Sequence, residues 1–299
     1  MIPHTPECLN NHLGAWAIEP AWLNGSISWL RTTGFNAIGF CDERNGLVDQ
    51  QAAAAGERRF AASDGIAMIP IYGSMMKGQS KFGGTSTQDT RRAITAAAGD
   101  KSIDGIMLHI DSPGGHVAGT QELADDIAAA DKVKPVHAHI DDLGASAAYW
   151  AGSQARNLTI NEAGSAGSIG VFAVLYDTSG AAEAEGVKVH VVSTGEHKGA
   201  GIDGAPITDD QLSEFQGQVD GINELFLAAV KRGRKLPANQ VRDLADGRVL
   251  MSRQAKAAGL VDGVMSFEAS VRRLQAVVRS EKRSNTAAAK IALAKITGA

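Results

Sequence analysis

Cysteine is nearly missing from this sequence: Cys8 and Cys41 are the two in 299 residues. Two cysteines make no disulfide framework, and their spacing matches no metal-ligand pattern, so a reducing compartment is expected. No stretch approaches the roughly 18 apolar residues of a membrane helix. The opening MIPHTPECLNNHLGAW lacks the basic start and apolar run of a secretory signal. The expectation is a cytoplasmic protein with no membrane partner. Neither charge dominates, with 29 Lys and Arg against 33 Asp and Glu and a formal net charge of -4, which excludes general affinity for nucleic acid. Internal repeats are absent. What remains is a chain 44% hydrophobic and 21% charged, enough for a substantial core in one or two domains.

The chain divides into three parts. Residues 1–62 hold Trp16, Trp22 and Trp29. Pro20-Ala21-Trp22 reads as a helix start that puts Trp22 and Trp29 on one face, a core or docking stripe. Residues 46–65 form a polar, Ala-rich connection. Residues 63–274 alternate strand and helix patterns: strands at 65–73, 105–110, 133–140, 157–161 and 187–192, and helices at 87–98, 117–130 and 179–185. Thr208 and Gln211 have capping-box spacing for a long helix to about Arg234. A second helical unit covers 237–244. A third covers 252–258, stopped by Gly259. The alternation implies an α/β fold, with a mainly parallel sheet flanked by helices. Residues 275–299 read as a basic, Ala-rich tail, frayed or helical only on a partner.

The stretch of chemical interest is HAHIDDLGASAAYWA, residues 137–151. It reads as a strand, a turn at Leu143-Gly144, and a helix start at Ser146. Serine commonly caps helices. It is also the residue type of a nucleophile raised on a strand-to-helix corner, among side chains too small to block a carbonyl (Gly144, Ala145, Ala147, Ala148). Ala148 stands where G-x-S-x-G has its second glycine, so that motif is not met. Two features favour the nucleophile. Asp111-Ser112-Pro113-Gly114-Gly115 ends a strand and exposes amides at the carboxyl edge of the sheet, where the Gly115 and Ala147 N–H groups can cradle an oxyanion. Lys198 lies in a Gly-rich loop. A neutral lysine can serve as base for a serine, although a solvated loop lysine has the same sequence appearance.

Histidine, the commoner base, offers His4, His12, His109, His116, His137, His139, His190 and His197. His116 follows the Pro-Gly-Gly turn, and His197 precedes Lys198, where as a cation it would favour the neutral lysine. His137 and His139 share a strand face and with Asp141 form a conceivable metal set. No further ligand cluster with metal spacing accompanies them, and no metal or cofactor is expected.

Taken in order, these landmarks resemble the signal peptide peptidase A, or S49, family of serine peptidases. They are Asp111-Ser-Pro-Gly-Gly115, Gly144-Ala-Ser-Ala-Ala-Tyr-Trp150, Gly167-Ser-Ile-Gly-Val171, His197-Lys198, Asp246-Gly-Arg248 and Gly259-Leu-Val-Asp262. The resemblance runs from about Gly65 to Leu274. It implies a ClpP/crotonase-like fold and a Ser-Lys dyad, with Ser146 as nucleophile, Lys198 as base, the Gly115 and Ala147 amides as oxyanion hole, and Ser168 orienting the lysine. It also implies a homo-oligomeric ring or dome acting on peptide or protein substrates. Two departures stand out. Cellular members are usually membrane-anchored, and here Gly199-Ala200 follow the lysine where a serine is frequent.

The Trp-bearing N-terminal part and the His-Lys-x-x-Gly loop are more similar to phage and prophage members. Those process scaffold or head proteins during procapsid assembly, which would make scaffold, capsid or portal proteins the partners and the bacterial host cytoplasm the location. The alternatives are a peptidase of signal peptides or other short peptides, a catalytically idle assembly module that intact Ser146, Lys198 and Gly114-Gly115 count against, and a crotonase-type acyl-CoA enzyme, which needs no Ser/Lys pair.

Overall fold

The computed structural model describes residues 16–18, 60–80 and 83–297. The helix expected at Pro20-Ala21-Trp22 lies outside these residues. The described parts of Ala17–Gly170 and Phe226–Ala299 form one compact unit; Trp16 and Val171–Leu225 belong to another.

The first unit is built on a sheet of eight strands. β3 (Ile66–Tyr72), β6 (Gly105–Ser112) and β8 (Val136–Ala145) run parallel at its centre. β2 (Ala61–Ser63) pairs antiparallel with β3. β9 (Asn157–Ile160) and β10 (Ser165–Gly167) each run parallel to β8, over different stretches. β11 (Val249–Met251) closes one side antiparallel to β10, and β12 (Gly263–Val264) runs parallel to β9. A smaller sheet has the order β1 (Trp16–Ile18), β7 (Gly114–His116), β4 (Met75–Met76), β5 (Thr85–Ser86). The expected mainly parallel α/β sheet is thus present, with antiparallel strands at its margins.

Burial on both faces explains why β6 opens on the unbroken apolar run Ile106–Leu108 rather than on an alternating one; β8 alternates Val136, Ala138 and Ile140 with the buried His137 and His139. Helices α1 (Thr87–Gly99) and α2 (Thr120–Val133) pack on each other, and α1 also covers β3 and β6. Each presents a stripe at helical spacing: Ala93, Ile94 and Ala97 in α1, and Leu123, Ala124, Ile127 and Ala130 in α2. Ser86 caps α1 by accepting the Asp89 N–H at 3.2 Å. Ile110 meets Gly152 of the short helix α3 (Ala147–Gly152). On α8 (Phe267–Thr297), Leu274 and Val278 pack with Ile66 and Met107. Fully burying a side chain of this size contributes about 1.5–3 kcal/mol, so these contacts tie α8 to the sheet. Residues 275–297, read as a tail either frayed or helical only on a partner, continue α8 as helix.

The Val171–Leu225 unit holds α4 (Ser179–Ala184) and the first part of α5 (Asp209–Arg234), which runs on into the other unit. The capping box forms as read: the Gln211 N–H donates to Thr208 Oγ1 and the Thr208 N–H to Gln211 Oε1, both at 3.2 Å. The strand expected at 187–192 does not form. A strand needs a neighbour for its N–H and C=O groups, and no ladder involves these residues among the described ones. Val192 is 97% exposed. The remaining helices are α6 (Ala238–Asp243) and α7 (Ser252–Ala257), the latter ended by Gly259 at φ +76°.

His137 makes this core sensitive to acid. It is 1% exposed, its Nδ1 has no hydrogen-bond partner among the described residues, and burial, followed by Arg273 and Arg156, lowers its pKa to about 4 from 6.5. As pH falls, the unfolded chain protonates this ring first, so stability decreases between about pH 6.5 and 4, by about 3 kcal/mol in all. His137→Phe is expected to flatten this part of the stability-pH profile in urea titrations. Equal acid losses in parent and variant would contradict the assignment.

Candidate active site

Ser146 stands between β8 and α3 with φ 52° and ψ -120°. A non-glycine residue pays about 1–3 kcal/mol for such a conformation, which persists only where the surroundings impose it. The surroundings here are a ladder: Leu143, Gly144 and Ala145 lie opposite Ser165, Ala166 and Gly167, and the Ser146 N–H donates to Gly167 O at 2.8 Å. This corrects the expected turn at Leu143-Gly144. β8 continues to Ala145 because β10 gives it a partner, and the reversal falls on Ser146 itself.

Capping does not account for the serine. Its side chain makes no cap hydrogen bond, and its Oγ, 1% exposed with the rest of the residue, has no hydrogen-bond partner among the described residues. The Ala147 N–H opens α3, and first-turn amides have no intrahelical acceptor. α3 packs against β7, so the Pro-Gly-Gly strand and the Ser146 corner are neighbours. β7 runs parallel to β4 with Gly115 opposite Met75. A Cβ on Gly115 would fall inside the Met75 carbonyl, so any side chain here must push the two strands apart. Ser112 Oγ accepts the Gly114 N–H at 3.1 Å and donates to Gly73 O at 2.6 Å, fixing the start of this strand.

Ser168 follows β10 at φ 50°, 4% exposed, with its N–H donating to Arg248 O at 2.8 Å. The Asp246-Gly-Arg248 landmark therefore supports the segment that carries Ser168. Lys198 lies in the Val171–Leu225 unit, on an exposed loop where its N–H donates to Gly195 O at 3.1 Å. His197 Nε2 is 3.3 Å from Glu196 Oε1 and 3.9 Å from Asp210 Oδ2, so it faces carboxylates. Those three side chains offer ligand atoms within 4.8 Å of one another, but all are exposed.

Of the conceivable metal set on β8, His139 is already bonded. His139 Nδ1 lies 2.8 Å from Thr159 Oγ1 and its Nε2 3.1 Å from Asn161 Oδ1, so both ring nitrogens are engaged. Burial lowers the His139 pKa, and a neutral ring suits these bonds. Burial and then Asp142 raise the Asp111 carboxyl. Sequence reasoning missed the bonding between His109 and Asp141, whose Nε2 and Oδ2 are 2.5 Å apart. His109 is a lone histidine inside the apolar run of β6, which marks the residue but not its partner.

The capsid assembly protease C of Escherichia phage lambda is 31% identical over 216 residues, covering 70% of this chain and 48% of that protein. Protease 4 of Haemophilus influenzae is 27% identical over 223 residues, covering 74% of this chain and 36% of that protein. This chain therefore spans half or less of each relative's length. A ClpP1 mutant from Listeria monocytogenes superposes with a TM-score of 0.45 at 15% identity, covering 68% of this chain and 93% of that one. Among the described residues no helix is long and apolar enough to cross a membrane. The sequence pattern of peptidase family S49 matches residues 128–280, about half of the chain, a span that includes Ser146, Ser168 and Lys198. The chain belongs to peptidase family S49.

Proposed function

We propose that the chain is a serine endopeptidase that works through an acyl-enzyme on Ser146. The observation that carries this reading is the strained, buried and unpartnered serine at the strand-to-helix corner. Ser146 Oγ attacks the scissile carbonyl while Lys198 Nζ takes its proton. The Gly115 and Ala147 amides stabilise the tetrahedral oxyanion. The protonated lysine then gives its proton to the leaving amine, and water repeats the sequence to release the acyl group. Ser168 orients the lysine. The reaction needs no metal or cofactor.

The natural substrates in this reading are scaffold or head proteins of a phage procapsid, met in the host cytoplasm; similarity to the lambda capsid assembly protease supports it. Similarity to Protease 4 favours a second reading, breakdown of signal peptides and other short peptides.

The active form in this proposal is a homo-oligomer, and the lysine for one serine comes from a neighbouring copy. Within the Val171–Leu225 unit Tyr176 is 66%, Leu212 45% and Leu225 53% exposed, apolar surface that a second copy would cover. Mixing Ser146→Ala with Lys198→Ala protein, each inactive alone, is expected to restore part of the activity, with subunit exchange checked by mixed-tag pull-down. Exchange without recovery, together with a fully active monomer in sedimentation, would show that each chain holds a complete site.

A further inference from the structure

β8 changes neighbours on its way to Ser146. His137–Ile140 lie opposite Asn157–Ile160 of β9, and Leu143–Ala145 opposite Ser165–Gly167 of β10. On its other side Ile110 of β6 faces Ile140 and Ser112 faces Gly144, so Asp111 alone spans the level of residues 141–143. β8 therefore bulges where the chain linking β9 to β10 makes its own excursion at 161–164. Beyond an irregularity of this kind, the ladder upstream no longer sets the register. The segment beyond it ends in Ser146.

The Asp141 carboxylate bridges the irregularity. Its Oδ1 accepts from Asn161 Nδ2 at 3.1 Å, and its Oδ2 lies 2.5 Å from His109 Nε2 on β6. His109 Nδ1 is 2.5 Å from the Tyr72 hydroxyl on β3, and Phe267 of α8 stacks on the His109 ring at 4.0 Å and 17°. A neutral imidazole that donates from Nε2 and accepts at Nδ1 satisfies both neighbours. The Leu143 N–H donates to Asp111 Oδ1 at 3.2 Å, and Asn161 Oδ1 also meets His139. One carboxylate thus joins β6, itself braced by β3 and α8, to both excursions.

We propose that Asp141, held by His109 and Asn161, is a positioning residue that locks the 143–146 segment against β10 and so fixes the strained conformation of Ser146. Its effect on rate rests on the reading of Ser146 as nucleophile; its effect on the ladder does not. Two measurements separate them. In hydrogen-exchange mass spectrometry of the full chain, Asp141→Ala is expected to speed exchange in peptides covering 143–148 and 165–168 by about tenfold or more, with core peptides of β3 and α1 unchanged. Phosphonylation of Ser146 by a fluorophosphonate, with loss of fluoride, is expected to slow by about 10–100-fold, the range for small misplacements of a reacting group. Asp141→Asn keeps the oxygen that Asn161 bonds and gives His109 a donor that its other tautomer accepts, so it should return both readings close to parental values. Asn161→Ala removes one arm only and should speed exchange in the same peptides if Asp141→Ala does not fold. Parental exchange at 143–148 in the folded variants would overturn the proposal, whether or not the parent reacts with the probe.

Discussion

Ser146→Ala is expected to lose turnover by a factor on the order of a million, the scale seen when a serine nucleophile is removed, while its unfolding midpoint stays at the parental value. The two halves together are what distinguish a nucleophile from a cap. Removing a capping serine costs about 0.5–2 kcal/mol, but this side chain makes no cap hydrogen bond and its Oγ has no partner to lose. Ser146→Gly should be inactive and more stable than the parent, because glycine adopts φ 52° without the steric penalty. Lys198→Ala should fall to a similar floor, and the double variant should be no worse than the poorer single one, since the pair acts as one unit. Steady-state kinetics with parallel urea titrations checks all four. Near-parental turnover in Lys198→Ala would remove the lysine from the mechanism.

Gly115→Ala carries the second largest expected effect. The added methyl falls on the Met75 carbonyl, which is backbone and cannot rotate away. β7 and β4 must separate, at a cost of about 1–3 kcal/mol for an overpacked site. That movement carries the Gly115 amide away from the developing oxyanion, and loss of one such donor costs about 10²–10³ in kcat. The expected result is a folded but less stable protein with kcat lowered by that factor and KM changed far less. Parental kcat in Gly115→Ala would exclude this amide from the oxyanion hole.

Local signals were legible wherever one short stretch decides the outcome. The Thr208 and Gln211 capping box, the Gly259 stop and the buried run of β6 depend on neighbours a few residues away, and the structure has all three. The corner at Ser146 was legible as a strand meeting a helix, but not its exact place. That depends on pairing with Ser165–Gly167, about twenty residues on. The strand pattern at 187–192 failed for the converse reason: alternation describes a segment able to pair, and pairing needs a neighbour. The His109–Asp141 bond was invisible because 32 residues separate its partners, and neither has a sequence context that names the other. Gly115 was legible as part of a Pro-Gly-Gly turn, whereas its close approach to Met75 emerges only from the fold.

The most direct test of the account is to locate the covalent intermediate. The parent protein is treated with a fluorophosphonate or a slowly deacylated peptide ester, digested, and read by tandem mass spectrometry. The account predicts one stoichiometric adduct on Ser146, absent from Ser146→Ala and unaffected by chelators. An adduct on another residue, or substrate cleavage by Ser146→Ala at the parental rate, would contradict it.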